Sequence, residues 1–134
     1  MRIFKTKYFA KWASKEGLKD QSLITAVKEI ENGQVDANYG GNVFKKRIGI
    51  NNQGKRSAVR TIIGFKSNDK TFFLHAFKKG AKSNISSTEE KALKKLAKDF
   101  FSLTDKNLLR VIKDGELHEI EVNNNGKNNF RSRT

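Results

Sequence analysis

Between residues 43 and 78 the hydrophobic period of the chain switches to two, and no other feature restricts the possible folds as much. Phe44, Lys46, Ile48 and Ile50 fall on one side of an extended segment, and Val43, Lys45, Arg47 and Gly49 on the other. Alternation of this kind marks a β-strand. Val59, Thr61, Ile63 and Phe65 alternate in the same way with Ala58, Arg60, Ile62 and Gly64, and the run Thr71 to Lys78 follows. Asn51-Asn52-Gln53-Gly54 and Ser67-Asn68-Asp69-Lys70 are turn sequences. Three strands joined by short turns make an antiparallel meander.

The flanking segments have helical spacing. Arg2-Ile3-Phe4 suits a short edge strand, and a helix is expected over about 5–15, ended by Gly17. Tyr8 and Trp12 on it read as core residues rather than as a base-stacking pair. Asp20 can cap a second helix carrying Leu23, Ile24, Val27 and Ile30 and stopped at Gly33. Residues 34–42 read as a loop. Ser86 with Glu89, or Ser87 with Glu90, can form the capping box of a third helix, whose apolar stripe is Leu93, Leu96, Ala97, Phe100 and Phe101. The basic positions within 94–98 read as a solvated helix face. Asp105 can cap a fourth helix ended by Gly115, and 117–122 can add a strand. The expected class is α+β, an antiparallel β-sheet packed on one face by helices. One domain is expected over 1–122, with a disordered basic tail over 123–134.

Lys and Arg number 28 against 14 Asp and Glu, a net charge of +14, and the excess is concentrated. Residues 37–88 hold 11 basic side chains and one acidic, whereas 89–122 hold 7 and 8. Such a segment points to a polyanionic partner, usually nucleic acid. The absence of Cys excludes disulfide scaffolds, thiol nucleophiles and zinc ribbons, and two His are too few for a His-metal cage. No apolar run approaches the roughly 18 residues that cross a membrane, and no secretory pattern opens the chain, so a cytoplasmic location is expected.

Parity sharpens the picture. If Asn68-Asp69 is a two-residue loop, Ile62 lies opposite His75 and Arg60 opposite Phe77. If the earlier loop runs from Asn51 to Arg56, Arg47 lies opposite Arg60 and Lys45 opposite Ile62. Residues directly opposite share a face. Lys45, Arg47, Arg60, His75 and Lys79 then line one face. Phe44, Ile48, Val59, Ile63, Phe65, Phe72, Leu74 and Ala76 line the other. An odd loop would flip one strand.

A face of Lys, Arg and one His, with almost no carboxylate, lacks the acids that two-metal phosphoryl transfer or a glycosidase requires. RNA brings its own nucleophile, the ribose 2′-OH. Cleavage then needs a base, a cationic clamp on the phosphate and an acid for the 5′-oxygen. Arg suits the clamp, and Lys or His the proton transfers. No metal or cofactor is expected.

Three runs, Gly41 to Arg47, Arg60 to Lys66 and Phe72 to Lys79, followed by Lys82 to Ile85, resemble the RelE/HigB toxins of type II toxin–antitoxin systems, most closely the HigB-like subgroup. The likeness spans about residues 1–113. It implies metal-independent cleavage of mRNA, usually on the ribosome, and a cognate antitoxin, often with a helix-turn-helix DNA-binding domain. By position it implies Arg60 as the phosphate clamp, Lys45, Lys46 and Arg47 as the basic strand that supplies phosphate-binding and catalytic lysines, and Lys79 as a catalytic cation; His75 or a Lys is the candidate base. Lys46, Arg47, Lys55, Arg56, Lys78 and Lys82 are the candidate RNA contacts. Several members carry a Tyr shortly after the last meander strand, and Gly80 to Ile85 has none. A non-catalytic RNA- or ribosome-binding module, and a toxin of the same fold aimed at a topoisomerase, are the competing readings.

Overall fold

A computed structural model describes residues 1–50, 58–78, 80 and 84–122. The expected tail over 123–134 lies outside the described residues, as do Lys55, Arg56, Lys79 and Lys82. In chain order the elements are β1 (Arg2–Thr6), α1 (Lys7–Glu16), α2 (Asp20–Glu31), β2 (Ala37–Gly40), β3 (Val43–Ile48), β4 (Val59–Phe65), β5 (Lys70–Lys78), α3 (Ser87–Phe101), α4 (Asp105–Lys113) and β6 (Leu117–Ile120). The six strands form one sheet in the order β2-β3-β4-β5-β1-β6. Only β1 and β5 pair in parallel. The α+β class and the central meander are as the periodicity predicts.

Local chemistry sets the helix ends. The Thr6 hydroxyl accepts the Phe9 N–H to start α1, and Gly17 at φ 76° closes it. At α3 the structure selects the Ser86–Glu89 capping box over the overlapping Ser87–Glu90 alternative. Thr104, one residue before the expected Asp105, caps α4.

Several expectations need correction. The segment 34–42 contains a strand, β2, paired with β3 across a bulge. Its polar, glycine-rich sequence hides a strand that is held by backbone hydrogen bonds to β3. β1 is not an edge strand; it lies between β5 and β6. The helices also do not confine themselves to one face. α1 and α2 cover Ile48, Val59, Ile63, Phe65, Phe73 and Ala76. On the opposite face, residues of α3 and α4 join Val43, Ile62, Phe72, Leu74 and Phe77 in a second core.

Phe72 and Leu74 are therefore on the face opposite to the expected one, and the reason is a bulge. Phe65 pairs with Thr71, so the β4–β5 turn holds three residues rather than two, with Asn68 left-handed at φ 60°. Farther along, Ile63 pairs with Phe73 but Ile62 pairs with His75, leaving Leu74 as an extra residue in β5. The surplus residue in the turn and the one in the bulge cancel. Beyond the bulge, Ile62 opposes His75 and Arg60 opposes Phe77, as the parity argument requires.

Lys46 illustrates how the α2-side core handles charge. It is only 5% exposed, and its ammonium reaches Glu29 at 2.7 Å and the Gln34 carbonyl at 2.9 Å. Removing one member of such a pair strands the other in low dielectric, whereas replacing both with apolar residues of similar volume avoids the desolvation cost. Urea unfolding should show Glu29→Ala destabilised by about 2 kcal/mol, short of a fully buried pair because Glu29 is partly solvated. The double change Lys46→Met with Glu29→Met should stay within about 1 kcal/mol of the parent.

Candidate RNA-binding and cleavage face

The β3–β4–β5 register gathers four of the predicted residues. One row across the three strands is Arg47, Arg60 and Phe77; the next is Lys45, Ile62 and His75. Paired Cα atoms in antiparallel sheets are about 4.5–5.5 Å apart, so Lys45 and His75 flank Ile62 with roughly 10 Å between their backbones. Ile62 and Phe77 are buried. The cationic side chains therefore stand around an apolar floor.

Each has a distinct setting. Arg47 is exposed and engaged by Asp36, which accepts its backbone N–H at 2.7 Å and its Nε–H at 3.2 Å. Arg60 is half-buried, with one guanidinium nitrogen donating to the Ala58 carbonyl at 3.2 Å. Among the described residues that bond uses one of five donors, leaving a planar fork for an anion. Lys45 is half-buried and makes no ion pair with any described residue.

His75 has the most built environment. β1 ends at Thr6, whose hydroxyl donates to the Leu74 carbonyl, and beyond that point α1 takes over from the strand. Its first turn lays Tyr8 parallel to the His75 ring, with centroids 5.5 Å apart and planes 13° apart. Phe77 lies 6.2 Å away on the same strand. From α3, Glu89 Oε2 stands 3.9 Å from His75 Nε2, an ion pair when the imidazole is protonated.

Two of the predicted RNA contacts are removed from this face. Lys46 points to the opposite side, buried against α2. Lys78 also turns the other way, where it pairs with Glu16 at the end of α1 at 2.8 Å. Alternation along a strand forces both outcomes. Lys55, Arg56, Lys79 and Lys82, also singled out from the sequence, lie outside the described residues.

Sequence reasoning also missed side chains. Tyr8, expected in the core, is 54% exposed, while Trp12 one turn later does pack partly buried against the α2-side core. Tyr39, from the unexpected β2, joins the second core and donates its hydroxyl to Asn84 Oδ1 at 2.7 Å. Burial first, and Glu90 second, push its phenol above the ordinary range, so it remains a protonated donor. Glu89 brings a carboxylate to a region whose own strands offer none. Only its capping-box spacing could have signalled a fixed position, and the sequence allowed two boxes. Among the described residues no three His, Asp or Glu side chains gather in a metal-holding group, and no helix is long and apolar enough to cross a membrane.

The helix-flanked, mostly antiparallel six-stranded sheet is consistent with the fold of the toxins that the sequence resembles. The family profile described as the RelE toxin of the RelE/RelB toxin–antitoxin system matches residues 1–120. The chain belongs to the RelE toxin family, and a toxin of this kind has a cognate antitoxin as its partner. A search of curated proteins finds no match.

The Tyr8–His75 stack is testable without any substrate. Tyr8→Ala should cost less than about 1 kcal/mol, because the side chain is more than half exposed. The His75 ring-proton resonances should move downfield as the shielding ring is lost, while core methyl resonances stay in place.

Proposed function

We propose that this toxin is a metal-independent endoribonuclease that cleaves mRNA, in the HigB-like manner its sequence resembles. The observation that carries the reading is the shared face of Lys45, Arg47, Arg60 and His75 in two adjacent rows of the β3–β4–β5 hairpins. Arg60, with its unspent guanidinium donors, clamps the non-bridging oxygens of the scissile phosphate. Arg47 holds the backbone beside it.

The chemistry requires no added nucleophile. The ribose 2′-oxygen attacks the adjacent phosphorus, and an O2′–P bond forms as the P–O5′ bond breaks. The products are a 2′,3′-cyclic phosphate and a free 5′-hydroxyl. The 2′-OH proton passes to a base and the 5′-oxygen takes a proton from an acid. His75 fits one of these roles, since Tyr8 and Glu89 fix its ring. Lys45 on the far side of Ile62, and Lys79 next in sequence to Lys78, are the cations assigned to the other. Arg60 also offsets the charge that builds on the phosphorane, the electrostatic contribution that usually dominates.

Messenger RNA as substrate implies action on the ribosome in the cytoplasm. It also fits an antitoxin that carries a helix-turn-helix domain and covers the cationic face in the neutral complex.

Induction in growing cells should arrest growth, and Arg60→Ala should relieve the arrest, with cleavage of a reporter transcript falling at least ~100-fold. Primer extension should place the cuts within codons and lose them when translation is blocked. A non-catalytic RNA-binding module would arrest growth with transcripts intact, and a topoisomerase poison would stop replication first. Full toxicity of Arg60→Ala would refute the assignment.

A further inference from the structure

We propose that a second, lysine-lined groove, separate from the cleavage face, binds the phosphodiester backbone of RNA lying outside the cut site. It rests on the reading of this toxin as RNA-directed, but not on catalysis.

The groove lies where α3 crosses the turns at the other end of the hairpins. Its volume is about 580 Å³, and its walls include Gly41, Asn42, Lys66, Lys94, Lys98 and Phe101. Lys95 also borders it, and none of its lining residues is acidic. Lys94, Lys95 and Lys98, with exposed Lys91 one turn earlier, fall at i, i+3, i+4 and i+7 spacing on one stripe of α3. Lys66 enters from the β4–β5 turn, its ammonium 5.8 Å from the Phe101 ring centroid.

The backbone creates the concavity. Gly64 on β4 lets α3 descend: a Cβ there would sit 3.4 Å from both Ala97 Cβ and Phe101 Cε2. Across from α3, Gly40, Gly41 and Asn42 are consecutive left-handed residues at φ 85°, 63° and 64°. A Cβ on Gly40 would meet Lys94 Nζ at 3.7 Å. Lys94 therefore reaches over this turn, and the trough beside it is lined by lysine.

Charge selects the occupant. Lys94 is tied to Glu90 at 3.0 Å and Lys95 to Asp99 at 3.3 Å, both along the helix. Lys66 and Lys98 have no carboxylate partner among the described residues. Like charges crowded around one trough repel one another, and an anion with several regularly spaced charges relieves that best. A phosphodiester backbone is such an anion. From Arg47 to Gly41 is six residues of β3 and turn, about 20 Å at ~3.3 Å per residue. A short oligonucleotide seated on the cleavage face does not extend into the groove, whereas a long RNA does.

The test uses the full chain and RNA made uncleavable by 2′-deoxy substitution, so binding is read without cutting. The lengths are about three and roughly 30 nucleotides, and the variants are Lys66→Gln with Lys98→Gln, the same pair changed to Arg, and Arg60→Ala. The Gln pair should bind the long RNA at least ~5-fold more weakly at ~0.1 M salt, with the salt slope reduced by about 1.4 for two lost phosphate contacts. It should bind the short RNA as the parent does, and the Arg pair should restore long-RNA affinity. Arg60→Ala should weaken both lengths, and its failure to do so would count against the cleavage face, not the groove. Unchanged long-RNA binding by a folded Gln pair would overturn the proposal, as would equal loss at both lengths. Inorganic triphosphate that raises the melting temperature of the parent but not of the Gln pair, with long-RNA affinity unchanged, would make this a small-anion site and also overturn it.

Discussion

The structure depends on how far α3 is allowed to cover the sheet. Gly64 has no side chain, and Ala97 and Phe101 pack directly onto it. Around that contact Val43, Phe72 and Leu74 form a dry core with Phe100 and Leu108. On the same face Lys45 follows two residues beyond Val43 and Arg60 four residues from Gly64, and a helix could not lie on them without burying their charge. One face of one sheet is thereby divided into a packed half and a cationic half. A bulky residue at Gly64 would lift the helix and blur that division.

Positive charge by itself does not mark the site. Lys46, Lys78 and Arg47 are all in the basic middle segment, and each has a carboxylate partner from a different element: Glu29 of α2, Glu16 of α1 and Asp36 before β2. The first two pairs tie helices to the sheet on the face away from the phosphate. Arg47 keeps an exposed side chain on the proposed site while Asp36 anchors it. The exposed Arg47–Asp36 pair contributes little stability, so its role is orientation. Arg60 and Lys45, without a carboxylate partner among the described residues, are the cations to which the proposed function assigns the phosphate.

The sequence made the meander and its parity legible because charge and apolar residues segregate only in one register. Arg47 opposite Arg60 and Ile62 opposite His75 were both predictable on that ground. Agreement at β5 came from two departures that offset each other, a three-residue turn and the Leu74 bulge. Alternation reports net parity and not where an extra residue sits. The cost of that blindness was the misplacement of Phe72 and Leu74. β2 was invisible because Ala37 to Gly40 carry almost no apolar pattern; backbone pairing with β3 holds them. Tyr8 was misread because helical spacing cannot distinguish the first turn of a helix, which here projects past the end of β1, from the buried turns that follow.

The same limit applies to Glu89, and its position bears on the chemistry. A carboxylate needed to orient a histidine could come from a neighbouring strand, but β3 and β4 supply none, and more acid there would compete with the phosphate for Arg60. The molecule instead takes it from the start of α3. One Glu89 oxygen accepts the Ser86 N–H at 2.8 Å to close the capping box, and the other stands 3.9 Å from His75. Helix initiation and a carboxylate beside the imidazole thus come from one side chain, held in place by the cap. In the proposed reaction, the cap's hold on the other carboxylate oxygen would keep Glu89 beside His75 and away from Arg60.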